Sequence, residues 1–138
     1  MTETTRTSNV HAAAFAEPAD AAAWFARKLS VETDPSDVWA DLKAGATDFV
    51  FADVRSAKDY ERSHARGAIS LPHREITPER MRAFPPDTHF VVYCWGPGCN
   101  GAAKAGAKLA ALGFRVKEMI GGILTWEETE RLPVERSC

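Results

Sequence analysis

Along most of the chain, short apolar runs alternate with amphipathic stretches. Asp48 to Val54 (DFVFADV) and Phe90 to Cys94 (FVVYC) are continuous apolar runs of strand length, the pattern of strands covered on both faces. Leu29 to Glu32, Ala68 to Leu71 and Val116 to Ile120 are shorter candidate strands. Helix signals lie between them. Asp34-Pro35-Ser36 opens a helix that ends at Gly45 and turns Val38, Trp39 and Leu42 inward. Lys58 to Ser63 reads as a helical turn. Thr77-Pro78-Glu79 opens a helix to Phe84 that Pro85-Pro86 stops, Gly101 to Leu112 is a helix closed by Gly113, and Gly122 to Glu130 is the last. Strands separated by helices need crossover connections, so the pattern predicts an α/β fold: a parallel sheet with helices on both faces. In such sheets ligands sit beyond the carboxyl ends of the strands, here the loops after Val54 and after Tyr93.

The N-terminal part has a different texture. Residues 1–10 are polar and aperiodic and are expected to be disordered. Residues 11–30 are Ala-rich. Pro18 suits the first turn of a helix, and Ala21, Trp24, Phe25 and Lys28 share one face. This helix is expected to pack on the domain formed by residues 31–135; contact with a second copy, a homodimer, is the alternative use of that face.

Composition narrows the function classes. Hydrophobic residues make up 45% of 138, enough for one buried core in a single compact domain. A net charge of −2 gives no field that would gather nucleic acid or an acidic membrane surface. A substrate anion must therefore be drawn by a local site. No apolar run approaches the roughly 20 residues that span a bilayer, and Met1 to Val10 lacks the layout of a secretory leader. The expectation is a soluble, cytoplasmic protein without nucleic-acid or membrane partners. Thiols stay reduced in that compartment, so Cys94, Cys99 and Cys138 are expected to be chemical or incidental rather than a disulfide framework. No metal or other cofactor is expected. His64 has no second His or Cys at metal spacing, which leaves it a structural hydrogen-bonding role.

The candidate chemistry centres on Val91-Val92-Tyr93-Cys94-Trp95-Gly96-Pro97-Gly98-Cys99-Asn100-Gly101-Ala102. A buried strand delivers a cysteine at its carboxyl end, and a Gly-rich loop and a helix follow. Gly96, Gly98 and Gly101 let backbone approach a ligand closely. Successive N–H groups of such a loop can form an anion-binding nest, reinforced by the helix dipole. A thiol there is expected to ionise below the free value of about 8.5. As a thiolate, Cys94 can attack electrophilic sulfur, phosphorus or arsenic. The bland reading is a small buried residue that ends a strand.

Three motifs in register resemble the rhodanese-like sulfurtransferase family. Asp53-Val54-Arg55 with Tyr60 and Ser63-His64-Ala65-Arg66-Gly67-Ala68-Ile69 resemble its amino-terminal signature; Tyr93-Cys94 with the glycine loop, its catalytic loop; Gly113-Phe114 and Gly121-Gly122-Ile123-Leu124-Thr125-Trp126, its closing signature. The resemblance covers Val31 to Pro133. It implies a five-stranded parallel sheet and a cycle in which the cysteine takes a sulfane sulfur from a small-molecule donor such as thiosulfate and passes it to cyanide or a thiol acceptor. Cys94 matches the nucleophile. Trp95, Gly96, Pro97, Gly98, Cys99 and Asn100 match the cradle whose amides hold the persulfide.

Two departures matter. The loop is longer than the common pattern, and Cys99 or Asn100 stands where an Arg is common. A dianionic donor then lacks a guanidinium, which Arg55, Arg66 or Lys104 could replace at the mouth. Wider loops within the superfamily belong to phosphatases and arsenate reductases, which use a basic residue absent here. Cys99 opens a second chemistry. Attacking a Cys94 persulfide, it would release sulfide and leave a disulfide; its bland reading is packing at the helix start. Asp53 is expected to orient Arg55, Trp95 to wall the pocket, Trp126 to sit in the core and Cys138 to be inert. Sulfur transfer is the leading reading, a non-catalytic or redox-sensing module the second, and a phosphatase or arsenate reductase the third.

Overall fold

The computed structural model describes residues 8–46 and 48–137. It divides into two compact units, residues 1–30 and 31–138. Of the segment expected to be disordered, residues 1–7 lie outside the described residues, as does Cys138. Val10–Ala12 forms an exposed 3-10 turn. Helix α1, Pro18–Val31, starts at the proline as expected, and Trp24, Phe25 and Leu29 on it are exposed. Docking of that face, on the domain or on a second copy, stays a proposal.

The second unit is built around a five-stranded parallel sheet of order β1-β6-β5-β2-β4. The strands are β1 (Glu32–Thr33), β2 (Val50–Asp53), β4 (Ile69–Ser70), β5 (His89–Tyr93) and β6 (Arg115–Met119). Their connections carry α2 (Pro35–Lys43), α3 (Ala57–Arg62), α4 (Pro78–Met81) and α5 (Gly101–Ala111). Helix α2 starts where sequence places it: Pro35 occupies the first turn and the Asp34 carboxylate accepts the Asp37 N–H at 2.9 Å.

Strand β5 is central, so both of its faces are covered and its side chains alternate between two cores. Phe90, Val92 and Cys94 face one core with Ala52, Leu71, Ala102, Ala105 and Leu109. Val91 and Tyr93 face the other with Phe51, Met119, Ile123 and Trp126. This phase decides the direction of Cys94. It follows Tyr93 and points to the side on which α5 packs.

Several features depart from the sequence reading. The segment read as a strand from Leu29 to Glu32 is helical through Val31, because α1 continues across it, and the strand is confined to Glu32–Thr33. Helix α4 stops at Met81, short of Phe84. The last helix is short, α6 (Gly122–Leu124), and widens into a π-helical turn over Thr125–Thr129. An antiparallel ribbon pairs β3 (His64–Ala65) with β7 (Val134–Glu135). Strands of two residues carry no period of their own, and their pairing is a tertiary event. Among the described residues no helix is long and apolar enough to cross a membrane.

Candidate functional site

The carboxyl ends of β2 and β5 lie side by side. The Val54 N–H donates to Tyr93 O at 3.0 Å, which brings the loop after β2 against the loop of residues 94–100. Cys94 is only 7% exposed. A Cβ added to Gly101, the first residue of α5, would meet its Sγ at 2.6 Å. Glycine is required there by close approach of a sulfur.

The loop curls back on itself. The Cys99 N–H donates to Gly96 O at 3.0 Å, which brings the Cys99 Sγ to 2.7 Å from Cys94 Sγ. Both thiols are free. The Trp95 amide bears on both sulfurs, and the Gly101 N–H lies 3.4 Å from Cys99 Sγ.

The electrostatics reverse one expectation. Burial pushes the Cys94 thiol up to about 12, and the adjacent Cys99 sulfur adds to the rise against the Trp95 amide. Partial burial opposes ionisation of Cys99 too. The Cys94 S–H, the Trp95 and Gly101 amides and the Lys104 charge outweigh it, and the Cys99 pKa falls below its ordinary value. The anion-stabilising character expected at Cys94 therefore acts on Cys99. The cause is the strand phase, which sends Cys94 under α5, while the turn at Gly96 carries Cys99 to the amides. The cradle is also incomplete as a row of donors. Pro97 has no N–H, and the Cys99 N–H is engaged by Gly96 O.

A second layer holds the loop. Ile123 and Leu124 donate their N–H groups to Cys94 O and Trp95 O, each at 3.0 Å. Gly122, at φ +60°, lies so close that a Cβ would meet Cys94 O at 2.6 Å. The Gly121-Gly122 pair was legible in the sequence as part of a motif; its role as a clamp on the cysteine loop was not, because the two segments are far apart in the chain.

Beneath the loop, Asp53 accepts from Tyr93 O–H at 2.8 Å and from Arg55 Nη2 at 2.7 Å. Arg55 also donates to the carbonyls of Ser63 and Asp59. Its guanidinium is thus paired and buried, and it lies 4.5 Å under the Trp95 ring. Arg55 reaches the site through Trp95, which is 42% exposed beside Cys94. Asp53 orients Arg55 as the sequence suggested. Arg66, the residue after β3, pairs instead with Glu135 at 3.2 Å, with both side chains about half exposed. Lys104, exposed on the first turns of α5, is the cation that acts on Cys99. Gly98 and Asn100 are exposed. His64 is buried, its Nδ1 2.7 Å from Tyr60 O and its ring stacked on Tyr60. Trp126 is fully buried and donates to Pro133 O at 2.8 Å. Among the described residues no group of three or more His, Cys, Asp or Glu could hold a metal ion.

This fold recurs in solved structures. The BH2092 protein from Bacillus halodurans is 43% identical, with 87% of each chain covered and a TM-score of 0.83. A thiosulfate sulfurtransferase from Pseudomonas aeruginosa superposes with a TM-score of 0.64 at 22% identity over 82% of this chain and 21% of that one, a likeness of fold alone. The HTH-type transcriptional regulator Rv0324 from Mycobacterium tuberculosis is 32% identical over 93 residues. That match takes in 67% of this chain but 40% of the regulator, so the chain spans well under half of that protein's length. The family model of the rhodanese-like domain matches residues 34–129, from the cap of α2 to the end of the π-helical turn. The chain belongs to the rhodanese-like domain family.

Proposed function

We propose that the protein is a sulfurtransferase that carries a sulfane sulfur as a persulfide on Cys94, taking it from thiosulfate or a small persulfide and passing it to a thiol-type acceptor. The observation that carries this reading is the seat of Cys94: the carboxyl tip of the central strand, its Sγ against the first residue of α5 and in contact with a second thiol. The two sulfurs titrate as a pair. Burial holds the Cys94 thiol up, and its thiolate fraction is the species that attacks the donor. Attack on thiosulfate forms the Cys94 S–S bond, and sulfite leaves with the electron pair of the broken bond. Trp95 walls the entrance and Lys104 supplies positive charge near it.

The test is intact mass after incubation of reduced protein with thiosulfate or glutathione persulfide. Gain of one sulfur atom by Cys99→Ser, and none by Cys94→Ser, supports the reading. No gain by Cys99→Ser with either donor overturns it. A redox-sensing module is the second reading, favoured by the sulfur–sulfur contact. It predicts that peroxide forms a Cys94–Cys99 disulfide while sulfane donors leave the protein unchanged.

A further inference from the structure

The sulfur-carrier reading explains one of the two sulfurs at the tip of β5 and leaves the other idle. Cys99 is not a bystander in geometry. The turn closed by Cys99 N–H to Gly96 O aims its side chain inward, against Cys94 Sγ, although the loop is otherwise open to solvent at Pro97, Gly98 and Asn100. Its sulfur faces the Trp95 and Gly101 amides. It touches the atom that would become the inner sulfur of a persulfide.

We infer that Cys99 is the resolving thiol of a two-cysteine cycle, in which the protein releases the sulfane sulfur as free sulfide and closes a Cys94–Cys99 disulfide. This rests on the carrier reading above and gives its site a product and a partner class. The step balances. The Cys99 thiolate attacks the inner sulfur of the Cys94 persulfide. The Cys94–Cys99 S–S bond forms, the bond to the outer sulfur breaks, and that sulfur leaves as hydrosulfide with the electron pair. The sulfane sulfur gains two electrons and the two thiols lose them. A disulfide bond is about 2.05 Å long, so the sulfurs, already 2.7 Å apart, close by less than an ångström. The position of the attacking sulfur selects the product. Attack on the outer sulfur would hand it on intact, whereas a nucleophile seated on the inner sulfur expels it. The disulfide returns to the dithiol by exchange with an external dithiol reductant, which is the second substrate this cycle requires.

The experiment uses the full chain, reduced and freed of reductant under anaerobic conditions, with glutathione persulfide as the probe. Intact mass and free sulfide are measured for wild type, Cys99→Ser and Cys99→Ala. Wild type is expected to lose two hydrogens and release one sulfide per chain, with dithiothreitol restoring the starting mass. Both variants are expected to keep the added sulfur and to lose sulfide release. Wild type that holds the extra sulfur as stably as the variants, without sulfide or disulfide, overturns the inference and leaves the carrier reading standing. Variants that never gain sulfur overturn the carrier reading and the inference with it.

Discussion

Replacing Gly101 with alanine places a methyl carbon 2.6 Å from Cys94 Sγ and 3.4 Å from both Cys94 Cβ and Cys99 Sγ. Favourable non-bonded separations are about 3.5–4.0 Å, so the thiol must retreat by about 1 Å. It has little room, with Cys99 Sγ at 2.7 Å and Ala102 and Ala105 in the same core. Overpacking of this kind costs about 1–3 kcal/mol. Better helix propensity of alanine returns up to about 1 kcal/mol, so the net loss is about 0–3 kcal/mol, at about 4–8 °C in Tm for each kcal/mol in a domain near this size. Activity should suffer more. A 1 Å misplacement of a reacting group costs about 100-fold. The assays are a thermal melt and the rate of thiocyanate formation from thiosulfate and cyanide. Gly98→Ala is the control: nothing lies within 4 Å of its added Cβ, and relief of chain entropy predicts a change of about 0.4–1 kcal/mol toward stability. Gly101→Ala with wild-type rate and melting temperature would refute the seating of the thiol against α5.

Three further outcomes follow from the same geometry. Asp53→Asn leaves the Arg55 guanidinium, at 2% side-chain exposure, without its counter-charge and should cost about 3–5 kcal/mol in urea unfolding; adding Arg55→Met should cost less than the sum of the single changes, and strict additivity would count against a coupled pair. Alkylation by iodoacetamide should label Cys99 first, with a midpoint below the ordinary thiol value of about 8.5. Cys94, held up to about 12 by burial and by Cys99, should stay unlabelled at neutral pH, and its midpoint should fall in Cys99→Ser because the neighbour's hydrogen bond and charge both raise it; equal labelling of the two at neutral pH would contradict this order. Gly122→Ala forces a side chain onto φ +60° and a Cβ against Cys94 O, so it should cost at least about 1–2 kcal/mol in a denaturation midpoint, and an unchanged midpoint would remove the clamp from the account.

Much of this molecule was legible in one dimension because the signals are local. The apolar runs that became β2 and β5, the Asp34 cap of α2 and the glycine loop after Cys94 each need only neighbouring residues to be recognised. Order of elements then implied a parallel sheet, since helices between strands require crossovers. Chain order alone placed Cys94 and Cys99 in one loop ahead of one helix. It could not say which of the two would carry the charge. That depended on the phase of β5, which buries Cys94 with Phe90 and Val92, and on the turn that brings Cys99 to the amides. Nor could it say that Arg55 would be consumed by Asp53 rather than face a substrate, or that residues 121–124 would grip the loop from the far end of the domain. The sequence by itself determined the fold class and the chemical elements of the site, because periodicity and turn chemistry act over a few residues. The tertiary structure alone decided which sulfur is buried, that Arg55 is taken up by Asp53 and what holds the loop, because burial and charge pairing depend on groups that only folding brings together.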